Sequence, residues 1–500
     1  MLFILFPIFL TSILSSYCTS DIAEDLKNVL AAPGADPNCS FNYTEVTSQT
    51  IKFFPKCTSV FGIIVINENT DLSNSELQNA FQNMTSLTGG IRIENSKLTN
   101  LSIFAVDPLK QNFRVICETY GVFILNNQNL TNVDVLWTMY LIDDEFGNEC
   151  DFRVENNTKL DAGRLCDYGY LYLYMDLRVI GNLKDCGCLG DEFTETSFSG
   201  YHNCTKIYRG LHFENQSGTD NLNAFSNIKT IRGGLEIHDS NFQNLSFLEN
   251  LETIKTNNHG KGEKWILNIF GNPKLERLAI PFLRELYNSR ADSIQLANIK
   301  ENHPNFCLTI EEACFFLESK ISFVNLETKI CEDTRTQIFT SKICRFRSMS
   351  SLEDNCTLII GDLIVNSGDE PYFPKLTRLR YLFGSLVIQN TSLSSTEPIQ
   401  GIRYILHLNS INPVVQIVGN KILKQAFIDR IQNVITTGNR TAIFQDNHRD
   451  IFKSTDDQYR NRLDYVGGDC GEKVEIVYRT SGIGNFSFLS VLSLVVVRIL

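Results

Sequence analysis

The 500-residue chain lacks the residue patterns that mark common catalytic centres. Its seven histidines are scattered, with no His-Glu-x-x-His pair, and no Gly-x-Ser-x-Gly elbow occurs. The triplet His448-Arg449-Asp450 has no downstream Asn or Gly-rich loop to make it a kinase catalytic loop, and GKGEK at 260–264 lacks phosphate-loop spacing. These absences predict a protein that is not an enzyme and that uses no cofactor or catalytic metal.

Long apolar runs are also missing. Residues 1–17 and 486–500 are the two apolar termini, and both fall short of the roughly 20 residues that a spanning helix needs. The first run is uncharged and is followed by small residues, which favours a secretory signal peptide over residues 1–20.

The C-terminal run leaves three alternatives open. It contains Arg498 and follows a polar spacer, so a GPI-attachment signal, a single-pass anchor and a plain secreted tail are all compatible with it. Candidate attachment positions for a GPI link are Gly468, Asp469, Gly471, Ser481 and Gly482.

Positive charge is scarce, since the formal net charge is −12. An acidic chain is a poor match for nucleic acid or for an anionic lipid surface, because both repel it. A basic peptide partner is compatible with this charge, although charge alone identifies no partner.

The chain does contain one long sequence pattern that is repeated three times. Cys57, Cys204 and Cys356 each stand five or six residues before a glycine that opens an alternating strand, and they lie 147 and 152 residues apart. Repeats of that length are domains in their own right. The chain also lacks long Gly/Ser or Pro runs, so the three modules are expected to abut.

Shorter repeats occur inside each module. A glycine is followed by alternating apolar residues and an Asn or Asp, as in G62-IIVI-N67 and G90-IRIE-N95, and the paired glycines lie 28, 24 and 23 residues apart in the three modules. Period-two alternation predicts strands. The spacing is that of the coils of a solenoid, so each unit predicts one rung.

A later rung ends in an asparagine followed by Leu three residues on. Asn157, Asn272 and Asn420 occupy this place in FRVENNTKL, LNIFGNPKL and VQIVGNKIL. An Asn side chain can satisfy backbone groups at a sharp bend, so stacked coils are expected to align these residues in a ladder.

These motifs resemble those of the receptor L-domain family, the extracellular modules of insulin and EGF receptors. The resemblance rests on the Cys-x4-5-Gly starts, the glycine-led rungs, the phrases SLTGGIRIENSKLTNLSIF and TIRGGLEIHDSNFQNLSFLENL, and the N-x-x-L rungs, over about residues 39–450. It implies a mainly β fold of three tandem right-handed single-stranded β-helices with short α caps. The chain departs from those receptors in having no cysteine-dense furin-like stretch and no kinase.

The expected domain borders follow from the three starts. They are a signal peptide at 1–20, L domains at 21–187, 188–343 and 344–470, and a spacer with an apolar tail at 471–500. The sequence TIEE at 309–312 predicts a capping box that opens a short helix near the end of the second module.

Of the 15 cysteines, Cys18 lies in the predicted signal peptide and 14 remain, an even count that suits disulfides in an exported chain. Cys186-Gly-Cys188 has no histidine at ligand spacing, which argues against zinc. Cys117, Cys150, Cys314 and Cys470 are left without an assigned partner, with Cys117–Cys150 as one guess. The predicted disulfides are Cys39–Cys57, Cys166–Cys186, Cys188–Cys204, Cys307–Cys331 and Cys344–Cys356.

Acceptor sequences for N-linked glycans are dense, which is typical of an exported surface. Asn100 and Asn244 stand at matching places of the repeat, so each is open to two interpretations: a glycan acceptor, or a ladder residue buried at a turn. The predicted acceptors are Asn38, Asn42, Asn83, Asn100, Asn129, Asn156, Asn203, Asn215, Asn244, Asn355, Asn390 and Asn439, with a further sequon at Asn485.

A broad face of parallel strands is a surface for recognition, and its outward positions are the candidate ligand contacts. The alternative is that these are ordinary solvated positions of a strand. The resemblance implies a receptor-like cell-surface or secreted protein that captures peptide or protein ligands, insulin-like or growth-factor-like, without its own signalling domain, as a decoy or co-receptor. The alternative function is a structural or adhesive extracellular glycoprotein. The candidate contacts are Arg92, Glu94, His212, Glu214, Glu236 and His238.

Overall fold

The structure is a computed structural model. It describes residues 22–105, 113–137, 139–142, 150–167, 175–190, 195–216, 221–256, 265–288, 295–319, 321–338, 340–409, 411–452 and 463–470. The expected signal peptide, the sequon at Asn485 and the apolar C-terminal tail lie outside these residues.

The described residues form two compact units, the first ending at Cys186 and the second beginning at Gly187. Short strands dominate both units, and nearly all of them pair in parallel with the strand of the next coil. A parallel pair needs a crossover between its strands, and here each crossover is one turn of a coil. The strands of the second unit form two separate sets of coils.

The first stack is a seven-stranded parallel sheet in the first unit. In chain order, helix α1 (Ile22–Leu30) comes before the first strand of this sheet, and helix α2 (Asn74–Phe81) comes between its second and third strands. Its strands are β1 (Ser40–Phe41), β2 (Ser59–Ile66), β3 (Ser86–Glu94), β4 (Arg114–Leu125), β5 (Tyr140–Ile142), β6 (Cys150–Glu155) and β7 (Met175–Ile180).

The second stack has two five-stranded sheets, in the orders β8-β9-β11-β13-β15 and β10-β12-β14-β16-β18, and a two-stranded pair, β17-β19. Its strands are β8 (Cys188–Leu189), β9 (Lys206–Tyr208), β10 (Leu211–Glu214), β11 (Thr230–Arg232), β12 (Leu235–His238), β13 (Thr253–Thr256), β14 (Leu267–Phe270), β15 (Glu285–Asn288), β16 (Leu296–Lys300), β17 (Cys307–Leu308), β18 (Ser322–Leu326) and β19 (Lys329–Ile330). Helix α3 (Ile310–Glu318) begins at the capping box of Thr309 and Glu312, as the sequence predicts.

The third stack has a six-stranded sheet, β20-β21-β22-β24-β26-β28, and a five-stranded sheet, β23-β25-β27-β29-β30. The first pair, β20 with β21, is antiparallel. The strands of the third stack are β20 (Gln337–Ile338), β21 (Ser341–Arg345), β22 (Leu358–Ile360), β23 (Leu363–Val365), β24 (Tyr381–Phe383), β25 (Leu386–Gln389), β26 (Tyr404–His407), β27 (Val415–Val418), β28 (Asn433–Thr436), β29 (Thr441–Gln445) and β30 (Asp464–Val466).

Short 3-10 helices make many of the bends between strands. They are Pro37–Cys39, Ile51–Phe53, Ser102–Phe104, Asp134–Trp137, Leu165–Asp167, Glu195–Asn203, Leu222–Phe225, Ser246–Leu248, Glu370–Arg378, Glu397–Ile399 and Gly468–Cys470.

The core lies inside the coils, where strands contribute every second residue. Leu211, Leu235, Leu267 and Ala297 are aligned in register across four strands, and each is at most 2 % exposed. Alternation along a strand sends the intervening residues to the outside. The period-two pattern of the sequence therefore separates core from surface as predicted.

Buried asparagines form a ladder in each stack. Asn157, Asn272 and Asn420 have no exposed surface, and the side-chain Nδ2 of Asn420 donates to the carbonyl oxygens of Ile388 and Val418 at 3.0 and 3.1 Å. Asn272 makes the same pair of bonds to the rung before it and to its own strand. The predicted ladder is confirmed, and it supplies the partners that backbone groups at a buried bend require.

The structure contains six disulfides and one free cysteine among the described side chains. Both sulfurs of Cys186-Gly-Cys188 lie in disulfides, so this segment holds no metal through them. The bonds are Cys39–Cys57, Cys117–Cys150, Cys166–Cys186, Cys188–Cys204, Cys307–Cys331 and Cys344–Cys356.

Candidate functional site

The outward side chains of β3, β4, β6 and β7 make a charged surface, called the first outer face. Strand register aligns Arg92, Phe123, Arg153 and Arg178 in one row. The guanidinium of Arg92 lies 2.5 Å from the carboxylate of Glu94 and 5.6 Å from the centre of the Phe123 ring. Arg153 and Arg178 pair with Asp151 and Glu155 at 2.6 and 3.0 Å. Each arginine of the row is therefore paired with a carboxylate from a neighbouring row of the same face.

One edge of the same sheet is covered by α1. Leu26 and Val29 of the helix pack on Ile63 and Val65, which point outward from β2 and are nevertheless at most 2 % exposed. Gly89 makes room for this contact, since a Cβ there would come within 2.8 Å of Val29 Cγ1 and 2.3 Å of a backbone oxygen. Sequence reasoning did not predict that a helix would occupy an outward surface of this sheet.

The second outer face is formed by β10, β12, β14, β16 and β18. His212, Glu236, Asn268, Asn298 and Asn325 lie in one row. The amide of Asn325 donates to Asn298 at 2.9 Å, Asn298 donates to Asn268 at 2.8 Å, and Asn268 donates to the Glu236 carboxylate at 2.6 Å. This amide row orients four side chains in one direction.

The neighbouring row of that face carries aromatic and charged groups. The rings of His238 and Phe270 are stacked with centres 4.9 Å apart, and Glu214 and Lys300 flank them in register. His238 Nδ1 also lies 3.0 Å from the Asp239 carboxylate. Pre-ordered polar and aromatic groups on a rigid sheet are suited to binding another protein.

The third stack differs, because one of its two outer faces is already covered. Helix α3 of the second stack packs on the outward residues of β22, β24, β26 and β28, among them Leu358, Tyr404 and Leu406, which are at most 5 % exposed. Asn433 Nδ2 donates to the carbonyl of Leu317 at the end of α3 at 3.1 Å, and the Tyr381 hydroxyl hydrogen-bonds Glu318.

The other surface of this stack, the third outer face, carries uncharged residues along its central row. Ile364, Val387, Gln416, Ile443 and Val466 are aligned across its five strands. Ile364 is 37 % exposed and the others are half-buried. The row described first on each of the three outer faces therefore differs in kind: charged on the first, amide-rich on the second and uncharged on the third.

All six candidate contacts point outward, on two different faces. His212 and Glu214 are exposed, whereas Arg92, Glu94, Glu236 and His238 are half-buried by their neighbours. Sequence reasoning missed the members of the amide row, Asn268, Asn298 and Asn325. A signal was present, since each stands at an outward place of its rung, in LNIF, LANIK and SFVNL.

Ten of the twelve predicted glycan acceptors are exposed, and Asn100 and Asn244 are half-buried. The Oδ1 atoms of these two accept the backbone N–H of Ser102 and Ser246 at 3.0 Å each, which starts a 3-10 helix in both stacks. They are turn residues of the repeat and do not belong to the buried ladder.

Within the described parts of the chain, no three His, Cys, Asp or Glu side chains are grouped so that they could hold a metal ion. The free Cys314 lies on α3, where burial raises the pKa of its thiol to about 12, so it is protonated and a weak nucleophile at neutral pH. None of the described helices has the length and apolar character needed to cross a membrane.

Three parallel coiled stacks with disulfides at their starts define the class of protein. The model of the receptor L domain matches residues 56–167, 203–319 and 355–463, more than half of the chain. The chain therefore belongs to the receptor L-domain family, a family of ligand-binding rather than catalytic domains, and the domains and disulfides are those of an extracellular protein.

Two individual proteins are similar to it. A Hydra vulgaris protein named "Putative insulin-like peptide receptor" is 28% identical over 148 residues, which is 28% of this chain and 10% of that protein. The match thus spans about a tenth of the relative's length. The crystal structure of a TLR13–ssRNA13 complex aligns with 10% identity over 78% of this chain and 65% of that one, at a TM-score of 0.21.

Proposed function

We propose that this chain is a non-enzymatic extracellular receptor-like protein that captures a peptide or protein ligand on the second outer face. The observation that carries the proposal is a set of accessible groups held in place on a rigid sheet: Glu236 is bonded to the amide row, and His238 is stacked on Phe270. Within that row Asn268 and Asn298 are only 7 % and 5 % exposed, so they orient Glu236 and do not contact the ligand. Groups held in place before binding lose little conformational freedom when a ligand arrives.

The proposed ligand class is an insulin-like or growth-factor-like peptide. The similarity to the Hydra vulgaris protein supports the first of these, and the family supports the second. The acidic chain favours a ligand with exposed basic residues, because opposite charge speeds encounter and favours the correct partner. In this proposal the chain captures its ligand as a decoy or co-receptor and does not itself signal.

The proposal extends to the architecture and the anchor. It takes the L domains as residues 21–187, 188–343 and 344–470, with coils wound in the right-handed sense of the family. It also takes residues 1–20 as a signal peptide, the exposed sequons as glycosylated, and residues 471–500 as a GPI signal. Release of the protein from intact cells by a phosphatidylinositol-specific phospholipase tests the anchor.

Binding of a panel of insulin-like and growth-factor peptides to the purified protein tests the function. Saturable binding is expected, and His212→Ala with Glu214→Arg should weaken it at least tenfold, because both side chains are exposed on the second outer face. Asn79→Ala, on the exposed side of α2, is the matched control and should change nothing. An unchanged affinity of the double variant for the peptide would refute this placement of the site.

A structural or adhesive role is the second candidate, and the third outer face favours it. An uncharged row open on a sheet is a surface on which two copies can associate. Sedimentation of the purified protein tests this role. Self-association that Ile364→Lys abolishes, without saturable peptide binding, would favour adhesion over capture.

A further inference from the structure

Three of the glycan acceptor sequences have a cysteine as their middle residue. They are Asn38-Cys39-Ser40, Asn203-Cys204-Thr205 and Asn355-Cys356-Thr357. Each of these cysteines is half of the disulfide at the start of a stack. The same three-residue segments therefore combine an acceptor sequence for a glycan with a cysteine that is oxidised to a disulfide.

The order of the two cysteines differs among the stacks. Cys39 is the first of its pair, and its partner follows 18 residues later. Cys204 and Cys356 are the second of theirs, and their partners precede them by 16 and 12 residues. With synthesis at about 5–20 residues per second, these separations correspond to roughly 1–4 s. A partner thiol is thus already present when the second and third sequons emerge, and absent when the first one does.

The folded geometry closes the third sequon to an enzyme. Cys356 has no exposed surface, and the Thr357 hydroxyl and N–H both donate to the carbonyl oxygen of Lys342, at 3.1 and 3.0 Å. Asn355 itself is exposed but is held at a left-handed φ of 62°. Glycan transfer uses the Asn amide together with the hydroxyl two residues on, so it must precede closure of this loop.

The second sequon is fixed through its backbone rather than through its hydroxyl. Cys204 is only 4 % exposed, and the Thr205 carbonyl accepts the N–H groups of Lys229 and Thr230 from the next coil, at 2.9 and 3.2 Å. Asn203 ends a 3-10 helix, so its backbone is fixed as well. Folding of the second stack thus removes the flexible conformation in which an acceptor can be modified.

We propose that disulfide closure competes with glycosylation at Asn203 and Asn355 but not at Asn38, so that cysteine order sets the glycan pattern. In transfer, Asn Nδ2 bonds to the sugar C1 of a lipid-linked oligosaccharide, the bond from C1 to the diphosphate breaks, and an amide proton is lost to base. In closure, two thiols lose two protons and two electrons to the disulfide of a thiol oxidoreductase. The proposal rests on the exported placement given under the proposed function.

Site-by-site occupancy, measured by mass spectrometry of glycopeptides from the full-length chain made in a eukaryotic secretory host, tests this. Asn38 is expected near full occupancy, and Asn203 and Asn355 at about half of it or less, since closure and synthesis overlap in time. Cys188→Ser should raise occupancy at Asn203 by about twofold, and Cys344→Ser should do the same at Asn355. Each variant should leave the other site unchanged.

Two controls keep the test independent of correct folding. Cys57→Ser should leave Asn38 occupancy as it is, because that partner arrives late. A pulse of reductant during synthesis of the natural chain should raise occupancy at Asn203 and Asn355 together. Equal, full occupancy at all three sites, or no response to either serine variant and to reductant, would overturn the proposal. Absence of glycan from Asn83 and Asn129 as well would overturn it together with the exported placement.

Discussion

A few buried polar side chains determine where each coil ends. Asn420 accepts hydrogen bonds from the N–H and hydroxyl of Thr391 at 2.9 and 2.7 Å, and it is bonded in turn to Asn447 of the next coil. Asn447 donates to Asp469, which ends the series in the described part of the stack. Asn420 satisfies backbone groups of two rungs, and Asn447 and Asp469 each satisfy groups of the rung before them, so the ladder stabilises the bends against unfolding.

Asn420→Ala should lower the free energy of unfolding of the second unit by about 2–5 kcal/mol, because several buried donors and acceptors lose their partner at once. Denaturant unfolding followed by fluorescence measures this. Asn79→Ala, an exposed asparagine on α2, is the control and should change stability by less than about 0.5 kcal/mol. A small loss of stability in Asn420→Ala would mean that the asparagine ladder forms as a result of coil folding and contributes little to the stability of the coils.

His407 is a second residue whose environment can be tested. Its ring is 1 % exposed, and neither ring nitrogen has a hydrogen-bond partner among the described residues. Burial lowers the pKa of this histidine below its ordinary 6.5, although Asp362 opposes the shift. The folded state therefore holds the neutral ring and binds fewer protons than the unfolded state.

The contribution of the neutral His407 ring to the stability of the second unit should consequently be fully present above pH 6.5. It should be lost progressively as the pH is lowered from 6.5 towards the depressed pKa of this histidine. His407→Leu should reduce the change of melting temperature between pH 7 and pH 5, because the unfolded variant no longer takes up a proton at this position. Calorimetry at several pH values checks this. His212→Leu, at an exposed position of the second stack, should keep the slope of the natural chain, and an equal flattening there would contradict the assignment.

At the scale of elements, helices lie on the outward faces of sheets in both units. Helix α1 covers Ile63 and Val65 in the first, and α3 covers Leu358 and its neighbours in the second. Each helix buries an apolar side against outward residues that would otherwise be exposed. The broad sheets of this fold thus accept amphipathic helices from the chain itself.

Leu26→Asp should detach α1, because burying Leu contributes about 1.5–3 kcal/mol and a carboxylate cannot be buried there unpaired. Hydrogen exchange of residues 59–66 should then rise while the core of the stack stays protected. Lys27→Ala, on the exposed side of the same helix, is the control. Unchanged exchange in β2 of the aspartate variant would show that α1 contributes nothing to covering this sheet.

At the scale of the whole molecule, the second and third stacks share one hydrophobic cluster that runs from Phe198 to Ile435. Helix α3 lies within the sequence of the second stack, but its side chains pack against residues of both the second and the third stack. The two stacks are therefore expected to unfold together, since neither can lose α3 without exposing apolar surface of the other.

Tyr404→Ala should destabilise both stacks by about 3 kcal/mol, because it opens a cavity under α3. Hydrogen exchange should rise in β16 and β18 of the second stack as well as in β24 and β26. Tyr372→Ala, on a 36 % exposed ring of the third stack, is the matched control. An increase confined to the third stack would contradict the shared cluster.

Much of the fold was predictable because its signals are local. Period-two alternation placed Ile91, Leu235 and Leu386 in parallel strands, and all three are at most 1 % exposed. The capping box at Thr309 needs only residues three apart. The amide row and the cover over Ile63 were not predictable, because each depends on which coils and helices meet in space.

The sequence by itself determined the coil period, the strands, the buried asparagines and the negative net charge, because these depend on neighbours along the chain and on composition. Only the tertiary structure decided which outward faces remain open. Register between distant strands aligns Asn268 with Asn298, and packing of α1 and α3 removes two surfaces from solvent. Such contacts join residues far apart in the chain, so no local pattern specifies them.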